Sequence, residues 1–227
     1  MKAIDKAEEG IRYSLAQMWQ LVAKQIEDAK IAIVNNDKEL ANEIMVRERL
    51  IDNYELQIDK RCEQFTALQN PVAIDLRFVL SHLKMNSNLE RIADLAEGIA
   101  SYVVKHQTEK LENDKYHVES MINNVHRMLE LAYQSYMSYD TNLALKVLTM
   151  DTKVDAYYDK AIQAISDNFK SKNSEDTLHL IHFVTSLRRI ERMGDRCTNL
   201  AENIIFHIDA KELKHSDNIP MYKDDSE

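Results

Sequence analysis

Three glycines and two prolines are all that a chain of 227 residues has for reversing its direction. A sheet protein of this length needs a turn about every ten residues, and turns lean on glycine and proline because those residues hold the required φ values. Long helices with few connections are what remains, so the expected fold class is all-α. At this length about 70 % of the unfolded chain's surface can be buried, so a core can form without disulfides or zinc.

Apolar residues recur at helical spacing over six segments, roughly 8–34, 37–68, 71–106, 112–138, 141–171 and 174–209. Asn36-Asp37 and Asp140-Thr141 interrupt the pattern, and their side chains can cap the helix that follows. Asn70-Pro71 marks the start of the third segment, with asparagine accepting from the first free N–H groups and proline in the first helical turn. From Lys211 to Glu227 the chain is polar and holds Pro220, which reads as a frayed tail.

The two halves of the sequence repeat one another. Asp37-Lys38-Glu39-Leu40-Ala41 matches Asp140-Thr141-Asn142-Leu143-Ala144, and further on Glu48 matches Asp151 and Asp52 matches Asp155, always 103 residues apart. In the third segments Glu90-Arg91-Ile92-Ala93-Asp94 matches Glu191-Arg192-Met193-Gly194-Asp195 at an offset of 101. The two-residue difference falls in the connection that holds Pro71. Order and spacing kept over three helices predict two tandem three-helix bundles, docked on a shared apolar seam and related by a pseudo-two-fold. The expected boundaries are 1–110 for the first bundle, 111–210 for the second and 211–227 for the tail.

A net charge of −9 argues against nucleic acid as a partner, because phosphate backbones require a basic face. It also disfavours an anionic membrane surface. No stretch approaches 18 uncharged apolar residues, and the beginning MKAIDKAEEG has no apolar signal core, so neither membrane insertion nor export is expected. Cys62 and Cys197 are too few for a disulfide framework and read as buried thiols in a reducing cytoplasm.

Each second and third segment carries an acid-x-x-x-acid pair: Glu48/Asp52, Glu90/Asp94, Asp151/Asp155 and Glu191/Asp195. Residues four apart share a helix face, with Cβ atoms about 6 Å apart. Glu55 and Asp59 extend the first stripe and Glu97 the second, while Ile92, Leu95 and Ile99 lie opposite. The stripes are therefore expected to face outward. One such pair alone is ordinarily a solvated face. Four pairs at matching places in two repeats read differently, because antiparallel packing of the second and third helices would bring four carboxylates together. All-oxygen sites of that kind suit Mg²⁺, Mn²⁺ or iron.

His179 and His182 share a face and read as core or surface histidines rather than ligands. Tyr133, Tyr136 and Tyr139 form a packing stripe, and the ten methionines fill gaps in the core. No glycine-rich phosphate loop, HExxH motif or Ser/His/Asp grouping stands out, so no enzyme is expected. The acidic helices also lack the Glu-x-x-His pairs of di-iron bundles.

The run Gln69-Asn70-Pro71-Val72-Ala73-Ile74-Asp75-Leu76-Arg77, continuing to Leu89-Glu90-Arg91-Ile92-Ala93-Asp94, resembles the PhoU family of phosphate-transport regulators. So does Ile190-Glu191-Arg192-Met193-Gly194-Asp195, continuing to Asn199-Leu200-Ala201-Glu202-Asn203-Ile204. The resemblance covers about residues 5–209. It implies two three-helix bundles, often dimeric, in a cytoplasmic accessory protein of a phosphate ABC transporter. Such proteins help shut off starvation signalling through a sensor histidine kinase. Some members hold metal clusters through the paired acids. By position, the implied ligands are Glu48, Asp52, Glu90 and Asp94 in one site, and Asp151, Asp155, Glu191 and Asp195 in the other, with Glu202 on that second face. The second half keeps Gly194, Asn199 and Glu202 where the first has Ala93, Gly98 and Ser101, so the second site is expected to bind more tightly. Gly98 also weakens its helix by about 1 kcal/mol relative to alanine.

The resemblance, with which the composition and charge agree, implies a non-enzymatic, cytoplasmic, homodimeric regulator of phosphate uptake. It would hold divalent or ferric ions (Fe, Zn, Mn or Mg) and bridge the transporter's ATPase subunit and the sensor kinase. The rival readings are a metal-dependent phosphate-ester enzyme and a helical accessory protein of another phosphate permease.

Overall fold

An amphipathic helix is stable in water only when its apolar stripe is covered, and here each stripe is covered by two others. A computed structural model describes residues 3–69, 71–106, 111, 114, 116–168 and 174–211. The described residues form six helices and no strand: α1 (Ala3–Asn35), α2 (Lys38–Gln69), α3 (Ala73–Lys105), α4 (Val118–Ser138), α5 (Thr141–Asn168) and α6 (Ser174–Asp209). The first three pack against one another, as do the last three, and the halves meet where α3 lies along α6 and α1 touches α4.

The repeat holds in three dimensions. Leu15, Met18, Trp19, Val22, Ile26 and Ala29 of α1 are buried, and so are Val118, Met121, Ile122, Val125, Leu129 and Ala132, their counterparts 103 residues later in α4. Both helices end in a left-handed residue, Asn36 (φ 54°) and Tyr139 (φ 57°), which turns the chain into α2 or α5. Asp37 and Asp140 then act as expected: Leu40 N donates to one carboxylate and Asn142 N to the other, each at 3.0 Å.

Three helix starts differ from expectation. α1 begins at Ala3, five residues early. α3 begins at Ala73, so Pro71 precedes the helix, and the start is fixed by the Asp75 carboxylate, which accepts from Val72 N at 3.0 Å. The expected cap, Asn70, lies outside the described residues. α4 begins at Val118 rather than 112, because Asp114 accepts from the backbone N–H groups of Glu119 (2.9 Å) and Ser120 (3.2 Å) and places its charge at the helix's positive end. The expected end of α5 at 171 and the tail at 212–227 also lie outside the described residues.

One hydrophobic core runs through both halves. Trp19 is its largest fully buried side chain; its indole N–H donates across the seam to Leu129 O at 3.3 Å, and its ring stacks on Tyr136. Gly98 has a reason that the sequence did not disclose. A Cβ there would stand 2.5 Å from Nε of Arg189, so the glycine lets the guanidinium of α6 cross α3 at the seam. At one end of the α3–α6 contact, Phe78, His82, Tyr136 and His207 pack together. His82 is fully buried, with Nδ1 2.7 Å from Phe78 O and Nε2 2.9 Å from the Tyr136 hydroxyl. A carbonyl only accepts, so Nδ1 carries the proton and Nε2 accepts from tyrosine. At the other end His106 packs on His179 and His182. Both cysteines are buried and unbridged.

Candidate metal centre: two acidic grooves

The helical period puts each acid pair on the edge of a helix rather than on its outer face. Glu48 and Asp52 on α2 therefore meet Glu90, Asp94 and Glu97 on α3, and Asp151 and Asp155 on α5 meet Glu191 and Asp195 on α6. The order of neighbours is that of antiparallel helices: Glu48 feels Asp94 and Glu97, whereas Glu55, two turns later, feels no charge nearer α3's end than Arg91 and in turn repels Glu90. The expectation that the stripes face outward is corrected. In every pair the first acid, Glu48, Glu90, Asp151 or Glu191, is half-buried in the groove, and only the aspartate four residues on is exposed. The stripe straddles the boundary of a helix–helix contact, so one turn lies inside it and the next outside.

Burial against like charge has the electrostatic consequence expected of it. Desolvation, followed by repulsion from Asp52 and Asp94, pushes the Glu48 carboxyl up to about 8, against a lowering hydrogen bond from Gln25. Desolvation and then Asp155, Asp195 and Glu191 push Asp151 up to about 6. Glu90 and Glu191 are raised as well, first by burial, and Asp195 is raised by partial desolvation of its groove side and then by Asp155, although the residue as a whole is exposed. Arginines flank the grooves without filling them: Arg188 Nη1 reaches Glu191 Oε1 at 3.0 Å and Arg91 Nε reaches Glu90 Oε2 at 3.5 Å, both from exposed positions.

The donor set fits a cation. Glu48 Oε1, Asp151 Oδ1 and Glu191 Oε2 are buried oxygens that have no hydrogen-bond partner. An unpartnered buried carboxylate oxygen is costly unless a proton, a water or a metal ion satisfies it. All the groove ligands are carboxylates, which suits hard or borderline cations. Among the described residues no three His, Cys, Asp or Glu side chains are drawn together as a ready-made metal site. Glu202 is half-buried on α6, seven residues beyond Asp195, and the charges that raise Asp151 do not include it.

The glycine of the second groove is also explained. A Cβ on Gly194 would come 3.0 Å from Asp151 Oδ1, so its absence makes room for that carboxylate. The sequence reading missed Gln25, Asp28 and Arg47, which stand behind Glu48. Two polar residues on the apolar stripe of α1, opposite Met128 and Leu131 in the repeat, were the available signal.

Residues 15–103 match the PhoU domain, and residues 118–204 match it again. The chain belongs to the PhoU family. It is 30 % identical over 210 residues to the phosphate-specific transport system accessory protein PhoU of Serratia marcescens, an alignment that covers 91 % of this chain and 85 % of the relative. The crystal structure of PhoU from Pseudomonas aeruginosa superposes with a TM-score of 0.84 at 29 % identity, covering 91 % of this chain and 99 % of that one. The phosphate transport system regulatory protein PhoU from Streptococcus pneumoniae shares the fold, with a TM-score of 0.83 at 24 % identity over 92 % and 99 % of the two chains. PhoU proteins are regulatory accessory proteins, not enzymes. Each PhoU match contains one acidic groove, from α2 to α3 in the first and from α5 to α6 in the second. No helix among the described residues is long and apolar enough to cross a membrane.

Proposed function

We propose that this PhoU protein is a cytoplasmic accessory regulator of a phosphate-specific ABC transporter that holds divalent or ferric ions in its two acidic grooves. It contacts the transporter's ATPase subunit and the sensor histidine kinase of the phosphate response, works as a homodimer, and restrains starvation signalling when phosphate is plentiful. The observation that carries the cation reading is the recurrence of the same half-buried carboxylates at the same α2–α3 and α5–α6 crossings, each with an oxygen that lacks a partner. The transport reading is supported by the names of the relatives. In the first groove Glu48, Asp52, Glu90 and Asp94 would hold the ion, and in the second Asp151, Asp155, Glu191 and Asp195. A bound cation supplies positive charge that cancels the repulsion between the facing helices. Long rigid helices with a charged groove on each half suit an adaptor that meets two partners with strengths set by transporter state.

Deletion of the gene tests this. Starvation genes should stay on in rich phosphate, and the purified protein should retain the ATPase or the kinase in a pull-down. Normal repression in the deletion strain together with no binding to either partner would refute the proposal.

A further inference from the structure

Glu48 is held from behind by a polar chain that has no equivalent in the other half. Gln25 on α1 is fully buried, and its Nε2 donates to Glu48 Oε2 at 2.7 Å and to Ile44 O at 3.2 Å. Its Oε1 accepts from Arg47 Nη1 at 3.2 Å. Arg47 also donates through Nη2 to Asp28 Oδ2 at 2.7 Å, and Lys24 Nζ reaches the other Asp28 oxygen at 3.0 Å. This network leaves the Gln25 amide a single orientation. A guanidinium has no acceptor and a carbonyl no donor, so the oxygen must face Arg47 and the NH₂ must face Ile44 O and Glu48. With Oε2 engaged, Oε1, the buried oxygen without a partner, is the one left to bind.

The repeat supplies an internal control. At the offset of 103, Gln25, Asp28 and Arg47 correspond to Met128, Leu131 and Met150, and none of these offers a donor to Asp151. Side chains that orient a ligand from behind, though they never touch the ion, commonly change metal affinity by about 10–100-fold.

We propose that Gln25, itself aimed by Arg47 and Asp28, is a positioning residue that presets Glu48 for the cation of the first groove, whereas the second groove has no such support. This rests on the reading of the grooves as cation sites. The test is Mn²⁺ titration of the full chain, freed of metal by a chelator, with each groove isolated: the first in an E191Q/D195N background and the second in a D52N/D94N background. Gln25→Met places the second half's own side chain in the first. It should weaken Mn²⁺ binding in the first groove by about 10–100-fold and leave the second within about twofold. Should Gln25→Met fold poorly, the triple change Q25M/D28L/R47M reproduces the whole second-half packing and serves in its place. An unchanged first groove overturns the assignment of Gln25 while the cation reading stands. So does an equal loss in both grooves, which is what a general loss of stability would give. Failure of the unsubstituted chain to bind Mn²⁺ in either groove overturns the cation reading and this proposal with it.

Discussion

Asp151 reaches α6 because residue 194 is glycine: its Oδ1 lies 3.0 Å from where a Cβ on Gly194 would stand. Contact that close forces the neighbour to shift, and here the neighbour is a candidate ligand. Gly194→Ala should therefore separate two effects. Helix propensity favours alanine by about 1 kcal/mol, so the metal-free protein should fold and melt no lower than the parent. Displacement of the Asp151 carboxylate should at the same time weaken cation binding in the second groove. Isothermal titration and thermal melts of the same sample read both. Undiminished binding would mean that the space left by Gly194 does not matter to the site.

The groove acids should be dispensable for folding and needed for metal. Asp195 is exposed and Glu191 half-buried. Glu191→Gln with Asp195→Asn keeps size and removes charge. The double variant should lose the metal of the second half, keep its helical circular dichroism, and gain a few tenths of a kcal/mol without metal as repulsion is relieved. Elemental analysis of protein purified without chelator is the check, and full retention of metal would remove these residues from the ligand set.

Stability without metal should fall as pH rises from about 6.5 to 8. Glu48 titrates near 8 in the folded chain and near 4.5 when unfolded, so across that interval the native state holds a proton that the unfolded state has released. Stability then declines with rising pH and levels off about one unit above the folded value, near pH 9. Asp151 is half titrated at about 6, so its own contribution is over by about 7. His207, lowered to about 4, His82, lowered well below its ordinary value, and His106, also lowered, act in the opposite sense and mainly below about 7, where the unfolded chain takes up protons that they refuse. Glu48, raised to about 8, therefore dominates the upper part of the window. The melting temperature should drop there by on the order of 5 °C, Glu48→Gln should flatten the profile, and saturating Mn²⁺ should raise it by mass action. A parent profile that is already flat would contradict the burial of this carboxyl.

Trp19→Ala should cost about 3–5 kcal/mol in urea unfolding, because the indole is fully buried, stacks on Tyr136 and bonds to Leu129 in the other half. Since that loss falls on the seam, both bundles should unfold in one transition at a lower midpoint. Two separate transitions in the parent protein would show that the seam does not couple the halves.

What the sequence determined by itself was everything that is periodic along the chain. The scarcity of turn residues, the six apolar stripes, the 103- and 101-residue offsets and the sharing of one helix face by the two acids of each pair are all local or repetitive signals, and each survives in the fold; the expected outward direction of those faces does not. Helix starts were less legible. Asp75 and Asp114, whose carboxylates fix α3 and α4, act from a position in or before the first turn that period alone does not mark.

Only the tertiary structure decided which acid of each pair is buried. That depends on where α2 crosses α3 and α5 crosses α6, and a helical period gives a face but not the depth of a contact. The same holds for Gln25, which meets Glu48 across 23 residues of sequence, and for Trp19, which meets Leu129 across 110. A buried amide or indole is satisfied by whichever backbone or carboxylate packing brings near, and no pattern within its own helix names that partner.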